Sequence, residues 1–413
     1  MRAGFGRAEI TPNKPMKMAG FDRRKDPSSG VLDELYVSVL LLQDEQEASF
    51  AFCSFDVLGV DSRLCGQVRE VLSATLSIPP ERIWVSSTHT HSAPSHIFSG
   101  MESYNPEYVT FILDRTREAG KLALADLAPY APYVAQTHAV GVASLRNQGR
   151  EGADFPMPVH VTKLCRKDDS LSFCLFACHP TVLDEKNTLY SKDIPGAAAK
   201  KLPKNQPCIF HNGACADLST RFTRTASNPK ELARLGGILG NAIADAPYSP
   251  GTTFGATISC AEEDIFLSRS AGLDGQEREE LLKALRERMD ACEDVQMKRE
   301  YDSRIAVLER AVAAAEKDRK IHVAAVDFGP FIYISLPFEV DNKDGNELQL
   351  ILSEAAGKPV YLICYTGGYD GYLPSGKPLS IDSSYEDIAS RYLPQSRGQV
   401  WESAKKCVLN AKI

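Results

Sequence analysis

Four apolar, strand-like runs of this sequence each end just before a side chain of a type that binds metal ions. The side chains that follow these runs are His89 with His91, His179, Glu339 and Tyr372. In sheets with crossover connections, functional groups collect in the loops beyond one edge of the strands. Two or three imidazoles, a carboxylate and a phenol near one point would form a zinc site. The pattern therefore predicts that these four stretches of chain meet around one cation.

The segment His89-Thr90-His91 carries the strongest local signal. Residues two positions apart share one face of an extended strand end, so both imidazoles can approach one centre. The other three residues each have a structural explanation as well. His179 fits a core histidine, Glu339 fits the first turn of a helix, and Tyr372 fits a packed aromatic ring. For these three, the local sequence leaves both explanations open.

Ser219 is a further candidate for chemistry. It follows Asp217-Leu218 and is either a helix-capping residue or a hydroxyl available for hydrogen bonding or nucleophilic attack. The chain contains no G-x-S-x-G segment, so the nucleophile of an α/β-hydrolase is poorly supported. It also contains no P-loop, and no G-x-G-x-x-G segment follows a strand.

Turn and periodicity signals place these residues on alternating strands and helices. Residues 36–43 and 48–56 resemble adjacent strands joined by an acidic turn. One helix begins after Asp61, another begins at Pro106, and a third spans residues 229–244. This alternation predicts an α/β fold with mixed sheets flanked by helices.

The stretch 276–320 differs from the rest of the chain. It contains no Gly or Pro, is rich in charge, and keeps its apolar residues at helical spacing. We expect a helical insertion over about residues 274–320 within a single α/β domain, 1–413. One unbroken helix would span roughly 60 Å, and a pair folded back near residues 293–298 fits equally well. A dimerisation arm, a lid and a solvated insertion are the roles to distinguish.

Composition limits the partners. The net charge of −7 and the pI of about 5.7 argue against nucleic-acid binding, which needs clustered Lys and Arg. Neither a signal peptide nor a run of about 18 apolar residues is evident, so we expect no integral membrane segment and a cytoplasmic location. The eleven cysteines include no C-x-x-C pair and fit free thiols of a reducing compartment.

Taken together, the motifs resemble the zinc-bearing N-terminal domain of the neutral/alkaline non-lysosomal ceramidase family. The segments that carry the resemblance are Gly4-Phe5-Gly6-Arg7-Ala8-Glu9-Ile10-Thr11-Pro12, Met18-Ala19-Gly20-Phe21, Ser54-Phe55-Asp56-Val57-Leu58-Gly59, Ser87-Thr88-His89-Thr90-His91-Ser92-Ala93-Pro94, Ala177-Cys178-His179-Pro180-Thr181, Asn212-Gly213-Ala214-Cys215-Ala216-Asp217, Leu336-Pro337-Phe338-Glu339 and Gly371-Tyr372-Leu373-Pro374. They recur in the family's order over nearly the whole chain. The immunoglobulin-like domain that ends those ceramidases is expected to be absent.

The resemblance implies a ceramidase-like fold and amide hydrolysis with one zinc ion. The implied zinc ligands are His89, His179, Glu339 and Tyr372. The implied catalytic residues are His91, Ser219, Tyr385 and Arg146. His91 would face the scissile amide or lie beside the metal, and Tyr385 would assist the oxyanion. Asp56 and Asp193 are candidates to orient the histidine ligands, although Asp193 also fits a helix cap.

We expect a cytoplasmic, zinc-dependent amidohydrolase whose substrate is a small-molecule or lipid-like N-acyl amide. Outside the metal set, Ser219-Thr220-Arg221 replaces the family's S-P-N segment and Phe338 replaces a glycine. We therefore expect a substrate smaller or more polar than ceramide. The alternatives are a zinc-dependent esterase or other carbonyl hydrolase, and a catalytically silent scaffold that assembles, for instance as a homo-oligomer, through the helical insertion.

Overall fold

The computed structural model describes residues 1–99, 103–146, 153–251, 253–270, 273, 275–310 and 318–413. The described strands are β1 (Arg2–Glu9), β2 (Gly30–Val31), β3 (Tyr36–Gln43), β4 (Ser49–Phe55), β5 (Ile83–Ser87), β6 (Ala128–Pro129), β7 (Ala131–Val140), β8 (Ser144–Leu145), β9 (Pro156–Cys165), β10 (Ser170–Phe176), β11 (Leu189–Tyr190), β12 (Cys208–Asn212), β13 (Leu218–Ser219), β14 (Ser249–Pro250), β15 (Ser259–Leu267), β16 (Arg319–Asp327), β17 (Ile332–Ser335) and β18 (Val360–Ile363). The helices are α1 (Ser62–Leu76), α2 (Pro106–Ala125), α3 (Ile194–Ala199), α4 (Pro229–Ala244), α5 (Gly275–Ala291), α6 (Val295–Arg310), α7 (Asn342–Ala356), α8 (Tyr385–Ala389) and α9 (Ser396–Ala411). A short 3-10 turn spans Pro80–Arg82.

Three larger sheets carry the fold, and each mixes parallel and antiparallel strands. Their strand orders are β5-β4-β3-β1-β6, β12-β10-β9-β7-β14 and β15-β16-β17-β18. One parallel pair occurs in each sheet: β4 with β5, β10 with β12, and β17 with β18. The predicted α/β fold of mixed sheets flanked by helices is therefore confirmed.

An aromatic core joins the three sheets. Phe52 of the first sheet lies with its ring centroid 4.9 Å from that of Phe173 in the second. The Phe173 ring in turn stacks on Tyr333 of the third sheet at 5.0 Å. All three side chains are nearly inaccessible to solvent. Aromatic pairs at such separations add to the stabilisation from burial, so this core fixes the sheets against one another.

Local sequence accounts for the helix boundaries. The Asp61 side chain accepts a hydrogen bond from the Leu64 backbone N–H at 2.9 Å and caps α1. Asn228 caps α4 in the same way through Glu231 N–H at 2.9 Å. A proline at the first helical position begins both α2 and α4, where its missing N–H costs nothing.

The predicted helical stretch folds back on itself as two helices. α5 and α6 are separate helices that break at residues 292–294 and pack against each other, so the single long helix is wrong. Leu285 and Leu308 are buried between them, and Ile388 of α8 joins that cluster. Residues 311–317 of the expected insertion lie outside the described residues.

All eleven cysteines are free thiols. Within the described ranges, none of the helices combines the length and apolar character that a bilayer crossing requires.

Candidate active site

The ends of the parallel strand pairs from all three sheets meet in one place. The Cys364 backbone N–H, just after β18, donates to Asn212 O at the end of β12 at 2.9 Å. Two residues beyond Tyr365, Gly367 N–H donates to Val85 O of β5 at 2.9 Å. These hydrogen bonds connect the three sheets at the same edge. The loops that follow the strands are thereby brought around one point, as the sequence predicted.

His89 is held in a fixed orientation directly after β5. Its backbone adopts φ +65°, a left-handed conformation that non-glycine residues rarely adopt. Its ring Nδ1 lies 2.7 Å from Leu58 O. The ring stacks on Tyr365 at 4.1 Å with an interplanar angle of 21°, and Tyr365 also has a positive φ of 55°. Strained backbone of this kind clusters at functional sites.

His179 is fixed in a similar way after β10. Its Nδ1 lies 2.6 Å from Cys215 O and 3.2 Å from Leu218 O. Its backbone N–H donates to Leu218 O at 3.1 Å, and the residue forms a parallel bridge with Ser219. The loop after β12 therefore both places and orients this imidazole.

Glu339 follows β17 and faces both imidazoles. One carboxylate oxygen, Oε1, accepts a hydrogen bond from the Tyr369 hydroxyl at 2.6 Å. The other oxygen, Oε2, lies 3.1 Å from His179 Nε2 and 3.4 Å from His89 Nε2. The three residues are each at most 2% exposed.

The chemical nature of these atoms suits a cation between them. A backbone carbonyl only accepts hydrogen bonds, so the Nδ1 of His89 and of His179 must carry the proton. In the neutral form of each ring, Nε2 is then a bare acceptor that faces a carboxylate oxygen, another acceptor. Accordingly, His89 Nε2 and Glu339 Oε2 are buried with no hydrogen-bond partner in the described part of the chain. Buried acceptors that face each other are costly unless a cation lies between them.

His91 lies beside this group. The metal-binding atoms of His89, His91 and His179 all lie within 4.8 Å of one another, so a metal could bind there. Both ring nitrogens of His91 are buried with no hydrogen-bond partner among the described residues. Gly20 packs directly against the His91 ring. Its φ is +95°, and a Cβ at this position would lie 2.4 Å from the ring. Only glycine leaves the ring where it is.

The electrostatics favour ligand forms of these residues. Burial, with the neighbouring imidazoles, lowers the pKa of His91 well below its usual value. Burial, with the charge of Arg146, lowers the pKa of His179 to about 3. At neutral pH the imidazoles of His91 and His179 are thus neutral, the form in which histidine binds zinc.

Tyr372, the fourth implied ligand, forms a backbone bridge with Glu339. Burial, followed by the charge of Glu339, raises the pKa of its phenol well above the usual value. Its ring meets Tyr385 edge-to-face at 5.6 Å. Burial raises the pKa of Tyr385 to about 12, so this phenol keeps its proton at neutral pH.

Arg146 and Ser219 border the same region. The Arg146 guanidinium pairs with Glu386 of α8 at 3.5 Å. Burial opposes its charge, but Tyr372 and Glu386 raise the pKa of Arg146 above its usual value. The backbone N–H of Arg146 donates to Asp217 O at 2.8 Å. Ser219 is buried in β13, so its helix-cap explanation is wrong.

The expected role of Asp56 and Asp193 in orienting the histidines is wrong, whereas the helix-cap alternative for Asp193 is confirmed. Backbone carbonyls, not carboxylates, accept from the histidine Nδ1 atoms. Asp56 accepts from the Tyr36 backbone N–H at 3.0 Å. Asp193 caps α3 through Ile194 N–H at 2.9 Å, and also accepts from Val182 and Leu183 N–H in the loop after His179. The Asp193 carboxylate thus stabilises that loop by accepting hydrogen bonds from the loop backbone.

Two tyrosines contribute more than the sequence indicated. Tyr365 stacks on His89, and its hydroxyl lies 3.1 Å from Cys215 Sγ. The Tyr369 hydroxyl donates a hydrogen bond to Glu339. Its ring packs against Gly59 so closely that a Cβ at Gly59 would lie 2.4 Å from the ring. The one sequence feature that pointed to a role for Tyr369 was its position three residues before Tyr372 in a glycine-rich turn.

Comparison with solved structures identifies the fold. A ceramidase complexed with C2 superposes with a TM-score of 0.77 at 14% sequence identity, covering 99% of this chain and 74% of that chain. Neutral ceramidase from Pseudomonas aeruginosa superposes with a TM-score of 0.75 at 15% identity, covering 100% of this chain and 75% of that chain. No protein-family profile and no curated protein sequence matches the chain. The resemblance seen in the sequence is therefore confirmed as a neutral-ceramidase-like fold.

Proposed function

We propose that this protein is a zinc-dependent hydrolase that cleaves an N-acyl amide. The observation that carries the proposal is the set of buried acceptor atoms of His89, His179 and Glu339 that face one another without a donor. The ceramidase-like fold supports amide hydrolysis as the reaction class. The mixed nitrogen and oxygen donors favour zinc over magnesium or calcium, which prefer oxygen ligands alone.

His89 and His179 would hold the metal through Nε2, and Glu339 through Oε2. Two residues are candidates for the fourth ligand of the metal. Tyr372 is the one that the resemblance implies, and His91 is the other, because its ring nitrogens lie within 4.8 Å of the metal-binding atoms of His89 and His179. When bound, zinc lowers the pKa of a coordinated water to about 7 and polarises a carbonyl oxygen.

Two neighbouring side chains would stabilise charge that develops on the amide oxygen. His91 has free ring nitrogens, and Tyr385 keeps its phenolic proton. Each could donate a hydrogen bond to that oxygen, and such a donor contributes about 3 kcal/mol to the transition state. His91 could also pass a proton to the leaving amine.

Arg146 and Ser219 would position the substrate. Glu386 holds the Arg146 guanidinium close to Tyr372 and Tyr385, where a permanent positive charge favours a developing oxyanion. Ser219 lies next to the His179 backbone, so its hydroxyl can donate a hydrogen bond to a bound amide. Neither role needs Ser219 as a nucleophile.

The test combines metal content with turnover. Purified protein is analysed for bound metal, stripped with a chelator, and reloaded with zinc, while a panel of N-acyl amides and the matching esters is assayed at each stage. We expect close to one equivalent of metal, loss of amide hydrolysis on stripping and recovery on reloading. His89→Ala should abolish both metal binding and turnover.

Two results would contradict the proposal in different ways. Metal content far below one equivalent that His89→Ala does not lower would refute the metal site. Turnover of esters with none of amides would leave a zinc-dependent esterase. Lys283→Ala, an exposed change on α5, is the matched control and should leave both measurements unchanged.

A further inference from the structure

The helix α6 carries charged side chains into the interior beside the candidate active site. Glu300 is only 3% exposed and Arg304 only 8% exposed, although both belong to a charge-rich helical pair. They are four residues apart and so lie on one face of α6. The helix packs against α8, which begins with Tyr385 and Glu386. Buried charges of this kind require partners.

Three guanidiniums in this region form ion pairs with two carboxylates. Arg146 pairs with Glu386 at 3.5 Å. The Arg221 Nη1 donates to Glu300 Oε2 at 2.5 Å. Arg304 is left to share the same carboxylate, with its Nε 3.8 Å from Glu300 Oε1.

The Arg304 guanidinium is therefore under-satisfied. Its Nε is buried and has no hydrogen-bond partner within the described ranges. A distance of 3.8 Å allows an ion pair but not a hydrogen bond. Arg presents a fork of N–H donors that matches the two oxygens of a carboxylate. The Arg304 guanidinium also lies 5.6 Å from the centroid of the Tyr301 ring. A carboxylate would supply the hydrogen-bond acceptor that its Nε lacks.

Two links connect this charged group to the candidate active site. Arg221 lies two residues after Ser219, and its backbone N–H donates to the Ser219 hydroxyl at 3.3 Å. Ser219 bridges the backbone of His179. On the other side, the charge of Glu300 acts on both Arg146 and Glu386. The under-satisfied guanidinium therefore belongs to the surroundings of the proposed reaction centre.

We propose that Arg304, together with Arg221, binds a carboxylate carried by the amide substrate. This deepens the proposed function, on which it rests, by naming the substrate class: an N-acyl amide with a carboxylate on one of its halves. The carboxylate belongs either to the amine half, as in an N-acyl amino acid, or to the acyl half, as in the monoamide of a dicarboxylic acid. On binding, it competes with Glu300 for the two guanidiniums.

Binding to metal-free protein tests the proposal without turnover. Isothermal titration calorimetry compares N-hexanoylglycine with its neutral counterpart N-hexanoylglycinamide. A second pair places the charge on the acyl half: N-hexylsuccinamic acid and its neutral diamide. We expect one of the acids to bind about 10- to 100-fold more tightly than its neutral counterpart, the usual value of a hydrogen-bonded charge pair. Equal binding within both pairs would overturn the proposal.

Two variants that should change the affinity for the acid in opposite directions distinguish carboxylate recognition from damage to the fold. Arg304→Gln should remove most of the preference for the acid, while Glu300→Gln should increase the affinity for the acid by freeing both guanidiniums. General damage would weaken binding in both. Arg299→Gln, on the exposed face of α6, is the matched control and should bind as the unaltered protein does. A Glu300→Gln protein that binds the acid more weakly would contradict the proposal.

Turnover of the same probes by zinc-loaded protein distinguishes this inference from the proposed function. If the acid binds selectively but no amide is cleaved, the proposed function fails and the carboxylate site stands. If neutral amides bind as tightly and react as fast as the acids, the substrate class is wrong while amide hydrolysis stands.

Discussion

Replacing Glu339 with glutamine should stabilise the protein without metal and destabilise it with metal. In the unaltered chain, Glu339 Oε2 lies 3.1 Å from the bare Nε2 of His179, and both atoms are acceptors. In Glu339→Gln, the side-chain oxygen keeps the hydrogen bond from Tyr369, which is 2.6 Å long in the unaltered chain. The amide nitrogen then faces His179 and donates to it. The unfavourable contact between two acceptors, at residue 339 and His179, is thus replaced by a hydrogen bond.

The magnitudes follow from the change at this contact. Relieving a buried, unsatisfied polar group is worth about 1–3 kcal/mol, which raises the thermal midpoint of a chain of this length by roughly 1–3 °C. Zinc acts in the opposite direction, because the amide is a weaker ligand than the carboxylate. If affinity falls about 100-fold, zinc stabilises Glu339→Gln by about 2.7 kcal/mol less than the unaltered protein at the same saturating concentration. Glu339→Gln should therefore be the more stable of the two proteins without zinc and the less stable with zinc.

The assay is thermal unfolding of chelator-treated protein, followed by a zinc titration, for both proteins side by side. Glu287→Gln, an exposed change of the same chemistry on α5, controls for the loss of one negative charge and should shift neither curve. The reasoning is refuted if metal-free Glu339→Gln melts below the unaltered protein. It is also refuted if zinc raises both midpoints equally.

Three further predictions concern neighbouring and distant groups. His91→Ala should keep the metal that His89→Ala loses, yet lower amide turnover by roughly 100-fold because one oxyanion donor is gone; metal loss in His91→Ala would instead make His91 a ligand. Gly20→Ala should lower turnover at unchanged metal content, since its Cβ would displace the His91 ring; unchanged turnover would show that the ring position is unimportant. Burial lowers the pKa of His160 to about 3, below its usual value of about 6.5. The unfolded chain therefore takes up this proton first, so stability present above about pH 6.5 is lost as the pH falls toward 3. His160→Gln should reduce the loss between pH 7 and pH 5 by about 2 kcal/mol in denaturant unfolding, whereas exposed His138→Gln should not.

Features that depend on short stretches of chain were predictable from the sequence. The α4 bounds, Pro229–Ala244, match the predicted helix because a cap, a proline and apolar spacing all lie within it. The convergence of His89, His179 and Glu339 was predictable too. Each follows a strand, and the fold brings the ends of those strands to one edge.

Features that depend on backbone placement were not predictable. The partners of the histidine Nδ1 atoms are the carbonyls of Leu58 and Cys215, and a carbonyl leaves no trace in the residue types. The carboxylates Asp56 and Asp193 were the natural candidates by residue type, and both act elsewhere. The break between α5 and α6 carries no Gly or Pro. Its local signal is Asp294, which caps α6 through the Met297 backbone N–H at 2.8 Å, and packing against Ile388 adds to the stability of the folded-back pair.

The orientation of the two imidazoles depends on backbone groups rather than on the surrounding side chains. The orientation of both imidazoles is set by main-chain carbonyls, and the position of His89 by a left-handed backbone at φ +65°. Main-chain groups persist through side-chain substitution as long as the path of the chain is kept. That path superposes on the ceramidase complexed with C2 at 14% identity. Arg221, Glu300 and Arg304 form their ion pairs through side chains, apart from the main-chain carbonyls that orient the two imidazoles. Substrate selection should therefore be altered through these three residues, with the metal affinity unchanged.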